Sequence, residues 1–133
     1  MRGRRRPVGR AGAAMTSLIV SLAAVAAGGF LGGVTRWALS HLNADTFHPG
    51  TWASNVIGSA VLGFSCAMPG LWALAAGAGF AGAASTWPML AKELGEHLKA
   101  RRWGDAARSV ALTAAVSVVA AYWGVVYGQR VFG

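Results

Sequence analysis

The order of apolar and polar positions divides the chain into long charge-free runs separated by short polar joints. Ala11 to Thr35, Thr46 to Ala91 and Ser109 to Gln129 carry no Lys, Arg, Asp or Glu over 25, 46 and 21 residues, against about 20 apolar residues for one membrane-spanning helix. The middle run is long enough for two spans, and Met68-Pro69-Gly70 supplies the turn that divides it. The pattern therefore predicts an all-α, multi-pass integral membrane protein with four transmembrane helices, at about residues 15–39, 50–67, 71–98 and 107–129.

The third span is interrupted. From Gly79 to Glu93, small residues, the hydroxyls of Ser85 and Thr86 and a proline lie deep in an apolar segment. Pro88 has no N–H and clashes with the carbonyl four residues back, yet suits the first turn of a new helix. The helix is expected to break between Gly82 and Trp87 and to resume through Glu93 to about Lys99. Backbone groups freed by a break cannot be satisfied by lipid, so a break is tolerated only where it meets protein or lines a cavity. This stretch is the candidate ion path.

Two polar stripes accompany it. Thr51, Asn55 and Ser59 recur at i, i+4 and i+8 in the second span, and Ser109, Thr113 and Ser117 do so in the fourth. The Asn55 carboxamide offers two donors to an anion, or else acts as interhelical glue. The hydroxyls either face the path or bond to their own i−4 carbonyls. In the first span, Gly28-Gly29-Phe30-Leu31-Gly32-Gly33 contains two overlapping G-x-x-x-G registers for close helix packing. Arg36 either snorkels to the interface or faces a wet cavity.

Composition excludes a soluble domain: 12% of residues are charged, against about 25% in soluble proteins. The net charge of +8 has a local source, because five of the twelve basic residues are Arg2, Arg4, Arg5, Arg6 and Arg10. They make residues 1–14 a basic arm, expected to be disordered and to meet anionic membrane lipid rather than nucleic acid. Residues 15–133 form the membrane domain, and Met15 is an alternative start. A basic start followed by an apolar run also imitates a cleaved signal peptide, but the run outlasts the usual 7–15-residue apolar core. With four spans, the side bearing both termini holds Arg2, Arg4, Arg5, Arg6, Arg10 and Arg130, and the other holds Lys99, Arg101, Arg102 and Arg108. That is a weak orientation bias.

Catalytic chemistry finds no support. Cys66 is alone, the three histidines lack metal-ligand spacing, and no nucleophile-base pair or embedded carboxylate dyad is evident. Gly77-Ala78-Gly79-Phe80-Ala81-Gly82 fits G-x-G-x-x-G without the strand and acidic residue that a dinucleotide site requires. The expectation is a protein that is not an enzyme.

Three motifs in order carry a family resemblance: Gly28-Gly29-x-x-Gly32-Gly33-x-x-Arg36; Gly50-Thr51-x-x-x-Asn55-x-x-Gly58-Ser59-x-x-x-Gly63; and Gly79-Phe80-x-Gly82-x-x-Ser85-Thr86-Trp87 with Glu93. Together they resemble the Fluc/CrcB fluoride channels over nearly all of the chain after Met15. The resemblance implies an antiparallel dual-topology dimer in the cell membrane, with two narrow fluoride pores, passive export of cytoplasmic fluoride and a central structural sodium ion. It implies Asn55 as an anion-facing donor, Arg36 as a cation near the pore vestibule, and the backbone carbonyls of Gly82 and Ser85 as sodium ligands. Thr51, Ser59, Trp87, Ser109 and Thr113 are the further candidates for the fluoride pathway, although Ser109 stands where a tyrosine and Thr113 where a serine is common in the family.

The third span departs from the family pattern Thr-Thr-Phe-Ser-Thr-Phe, reading Ser85-Thr86-Trp87-Pro88-Met89-Leu90. Trp87 keeps an aromatic edge, whose positive quadrupole density suits an anion, and Leu90 does not. This raises a heterodimer with a paralogous subunit beside the homodimer, and a non-conducting partner subunit as the alternative role. A small multidrug-type proton-coupled transporter is a further four-span alternative. It needs a carboxylate in the first span, whereas the acids are Asp45, Glu93, Glu96 and Asp105.

Overall fold

A computed structural model describes residues 8–44, 48–85 and 87–133, without the side chains of residues 8 and 87–89. Among the described residues there are helices and short joints only: α1 (Val8–Ser40), α2 (Pro49–Ser65), α3 (Gly70–Ala84), α4 (Trp87–Lys99) and α5 (Trp103–Phe132).

Helix α1 starts at Val8, seven residues before the expected Met15. Ala11, Ala13 and Ala14 are strong helix formers that offset Gly9 and Gly12, and no proline interrupts them, so residues 8–14 continue the helix instead of belonging to a disordered arm. Helix α5 likewise extends past its expected limits at both ends.

The start of α2 is capped from a distance. His48 makes no side-chain cap, but Asn43 Oδ1 accepts the backbone N–H groups of Gly50 (2.8 Å) and Thr51 (3.2 Å), satisfying two donors that the first turn leaves orphaned. Pro49, at the first helical position, has no N–H to satisfy.

The expected break is present. Helix α3 enters after Gly70 at φ +54°, widens to π-helical geometry from Leu74 to Ala81, and ends with one α turn at Gly82–Ala84. Ser85 is extended at φ −83°, ψ 121°, and α4 begins at Trp87. The π stretch has no counterpart in the apolar pattern, because Leu74-Ala75-Ala76-Gly77-Ala78-Gly79-Phe80-Ala81 carries no polar residue to mark a face. Between α4 and α5, Arg101 takes a left-handed φ of 56°. The N–H groups of Arg101 and Arg102 reach back to Leu98 and His97 at 3.1 and 2.9 Å, closing the end of α4.

Packing joins α1 to α3, and α2 to both α5 and α3. On the α1–α3 side the backbones nearly touch: a Cβ at Gly28 would collide with the Ala75 carbonyl, and one at Gly32 with that of Phe80. On the α2–α5 side, Gly63 faces the Ala121 carbonyl and Gly124 that of Ala60 in the same way.

The interior is inverted relative to a protein folded in water. Among the described residues the buried apolar side chains are Ala81, Ala84 and Ala106, whereas Thr51, Ser54, Asn55, Ser65 and Thr113 are buried too. Leu18, Ile19, Phe30, Trp72, Val118 and Tyr122 are exposed. Such a surface suits hydrocarbon, where helices associate through small residues and interior polar contacts. The chain is an all-α membrane protein, with α1 and α5 each long and apolar enough to cross a bilayer. Helix α2 has 17 residues, a length of about 25 Å at 1.5 Å per residue.

Candidate functional site

Helices α2, α4 and α5 line a half-open cavity of about 500 Å³. Its polar wall comes from Thr51 and Asn55 on α2 and from Ser109 and Thr113 on α5, and Trp52, Leu90, Leu112 and Val116 supply apolar surface. Charged and titratable groups gather where α2 and α5 begin and α4 ends: His48, Glu93, His97, Asp105 and Arg108. The first two members of each polar stripe thus face each other across one space. The α4 wall has a basis in its sequence, where Leu90, Glu93 and His97 recur at helical spacing along one face.

The break is held by two consecutive residues of α2. Ser54 Oγ donates to the Ala84 carbonyl at 2.6 Å, and Ser85 Oγ donates to Asn55 Oδ1 at 3.2 Å. Ser85 also gives its backbone N–H to Ala81 at 2.9 Å, so the last turn of α3 is closed before the chain leaves it. The amide oxygen of Asn55 thus accepts from the residue at which the third span breaks. Thr51 is positioned too, accepting from Asn43 Nδ2 at 3.1 Å.

Ser54 was not among the residues expected at the site, although it is only 2% exposed. Its signal is the spacing Gly50-x-x-x-Ser54-x-x-x-Gly58, a run of small residues on a second face of α2. Ser54→Ala would strand the Ala84 carbonyl in a buried setting, at an expected cost of about 1–3 kcal/mol. Thermal unfolding in detergent should register this as a lower Tm, and an unchanged Tm would remove Ser54 from the support of the break.

Of the other expected residues, Ser59 and Arg36 are half-buried and neither belongs to the cavity wall. Beyond residue 58 the backbones of α2 and α5 close on each other around Gly63 and Gly124, which ends the space before Ser59. Helix α1, with Arg36, packs on α3 instead. The Trp87 side chain lies outside the described residues.

Gly82 and Ser85 both lie at the exposed side of the break. No atom comes within 4 Å of a Cβ built at Gly82, and the extended ψ of Ser85 takes its carbonyl out of the helical ladder. The Ser85 carbonyl is thus a hard oxygen donor of the kind that suits a sodium ion, whereas Gly82 keeps helical φ and ψ of −63° and −36°. Among the described residues, no group of three His, Cys, Asp or Glu side chains is placed to hold a metal.

Glu93 Oε1 is buried and makes no hydrogen bond. The His48 Nδ1 atom lies 3.8 Å from it. The pair Arg102–Asp105, at 3.3 Å, is more than half exposed on both sides and contributes little.

A family model described as "CrcB-like protein, Camphor Resistance (CrcB)" matches residues 23–127. The chain belongs to the CrcB family. Among its CrcB relatives, the fluoride-specific ion channel FluC 2 of Corynebacterium diphtheriae is 42% identical over 73 residues, covering 55% of this chain and 67% of the relative. The fluoride-specific ion channel FluC of Sulfurovum sp. is 31% identical over 122 residues, covering 84% and 96%. That of Paraburkholderia phymatum is 33% identical over 119 residues, covering 81% and 94%. The CrcB match takes in every cavity residue and the whole of the break.

Proposed function

We propose that this chain is a pore-forming subunit of a fluoride channel, exporting cytoplasmic fluoride by passive flow, and not an enzyme. The observation that carries the reading is the meeting of Thr51, Asn55, Ser109 and Thr113 in one cavity of the broken-helix bundle. Fluoride is small and strongly hydrated, so a pore must replace its water with closely set donors. One amide and three hydroxyls provide such a set. The names of the CrcB relatives agree with it.

The arrangement in the cell follows from the same reading. Helices α1, α2, α3 with α4, and α5 make four passes of the plasma membrane. Two copies in opposite orientations pack their glycine-rich and apolar faces together. The Gly82 and Ser85 carbonyls are the groups of this chain that would hold a structural sodium ion, where the ion would supply a positive charge between the two subunits. Arg36 and Ser59 contribute to the wider vestibule and to helix packing rather than to the cavity wall.

The purified chain in lipid vesicles should release fluoride and retain chloride when a fluoride-selective electrode follows the efflux. Vesicles no leakier than protein-free ones, with the chain alone and with a paralogous subunit, would end the fluoride reading.

One observation favours a heterodimer. Leu90 lines the cavity and offers an anion neither a donor nor an aromatic edge. In a homodimer both pores carry this leucine, whereas a paralogous partner places different residues in one of them. Co-expression with such a paralogue is therefore expected to raise the fluoride rate per protein. A homodimer whose rate is indifferent to the paralogue would make Leu90 a neutral wall, and a subunit silent in every combination except as a scaffold would be a non-conducting partner.

A further inference from the structure

We infer that Arg108 is the anion-recruiting residue at the charged end of the cavity, a cation that draws fluoride toward the Ser109 and Thr113 hydroxyls and sets how fast ions enter at low concentration. The inference rests on the fluoride reading and deepens it by naming the group that acts before the anion is bound. On α5 the cavity is lined by Asp105, Arg108, Ser109, Leu112, Thr113 and Val116, whose spacing places them on one helical face. Arg108 therefore immediately precedes the first hydroxyl of this wall. The second hydroxyl follows about 7.5 Å further along the axis, at 1.5 Å per residue.

Three observations set Arg108 apart from the other basic residues. Among the described residues it is the only Lys or Arg in the cavity wall. It is exposed, and no described carboxylate holds it in an ion pair: Asp105, one turn earlier, is engaged by Arg102 at 3.3 Å, and Glu93 lies beside His48 at 3.8 Å. Arg36, the cation that the sequence motif offered for the vestibule, is carried by α1 against α3 and stays outside the wall. A guanidinium is charged at every pH at which vesicles are handled. Replacing it by a neutral side chain therefore makes this end of the cavity more negative by one charge, whatever protons the neighbouring groups hold. A fixed cation in a cleft with low-dielectric walls concentrates anions and raises their entry rate, and its N–H donors can replace water lost from a hydrated anion.

The test is the initial fluoride efflux rate from vesicles as a function of fluoride concentration. It is measured at ionic strengths of about 0.01 M and about 1 M, where charge acts over about 30 Å and about 3 Å. An impermeant salt sets the ionic strength equally on both sides, and sodium is held constant. At low salt and subsaturating fluoride, Arg108→Gln should lower the rate by about fivefold, the scale of one charge about 10 Å from an ion at an effective dielectric constant between those of protein and water. The saturating rate should stay near that of wild type. High salt should slow wild type toward the variant and leave the variant nearly unchanged, a convergence that loss of structural support would not produce. Arg108→Lys, which keeps the charge and discards the planar fork, should retain most of the wild-type rate. Arg101→Gln removes the same charge from an exposed position at the same end of the bundle, outside the cavity wall, and should cost less. A wild-type rate indifferent to salt, an Arg108→Gln loss equal at both ionic strengths, or equal losses in the Arg108→Gln and Arg101→Gln proteins would overturn the recruiting role while leaving the channel reading in place. Absence of efflux from every form would overturn both.

Discussion

Asn55→Ala is expected to slow fluoride efflux by about 100-fold or more, the scale on which loss of one preorganised anion donor acts in other sites. Asn55 is buried and lines the cavity, and it is also tied to the break through Ser85. Alanine therefore removes the amide from the cavity wall and an acceptor from the Ser85 hydroxyl together. Asn55→Asp separates the two roles. A carboxylate still accepts from Ser85 but, when ionised, has no hydrogen to give and adds a repelling charge. The aspartate variant should stay folded and keep the oligomeric state of the wild type in detergent, with some loss of thermal stability from the buried carboxylate, and lose fluoride passage as completely as the alanine variant. Efflux within a few-fold of wild type from a well-folded Asn55→Asp protein would assign Asn55 to holding the break alone.

Gly28→Val should prevent the chain from assembling into a stable folded form. A Cβ at Gly28 would lie inside contact distance of the Ala75 carbonyl, and that carbonyl belongs to the backbone of the π-helical stretch. No rotamer change relieves a clash with backbone. Helix α1 would have to move off α3, and Gly32, pressed against Phe80 one turn later, and Gly79, pressed against Val25, would lose their contacts with it. Overpacking of a closed contact costs about 1–3 kcal/mol or more, and most of the α1–α3 attachment depends on this close approach. Gly33 is the control: nothing lies within 4 Å of a Cβ built there, so Gly33→Ala should be tolerated by the folded subunit. Size-exclusion profiles and thermal unfolding of the two variants in detergent would compare them directly. Equal behaviour would mean that the α1–α3 contact is looser than its geometry implies.

The limits of the amino-acid pattern show clearly in these two glycines. The run Gly28-Gly29-Phe30-Leu31-Gly32-Gly33 contains two overlapping packing registers that are equivalent as sequence. The fold uses 28 and 32 against α3 and leaves 33 open. Periodicity reports which residues share a face of one helix, and nothing in it states which face meets a neighbour. The same limit explains why the second-span stripe was only partly a cavity wall. Thr51, Asn55 and Ser59 share a face, but the convergence of α2 with α5 around Gly63 and Gly124 closes the space between Asn55 and Ser59.

By itself the sequence determined the properties that depend on local chemistry and helical period. Charge-free apolar runs specify helices that bury their own backbone hydrogen bonds, and a proline after two hydroxyls specifies a break in the third of them; these outcomes need no knowledge of distant neighbours. Asn55, Thr51, Ser109 and Thr113 were legible as candidates because polar groups in apolar helices are costly unless they face one another or a cavity. Tertiary structure alone decided which partners they meet. It set Ser54 beneath the Ala84 carbonyl and Asn55 against Ser85, brought Glu93 beside His48, widened α3 into a π-helical turn against α1, and left Arg36 away from the cavity wall. Each of these is a contact between segments distant along the chain, fixed by how closely glycine backbones let the helices approach.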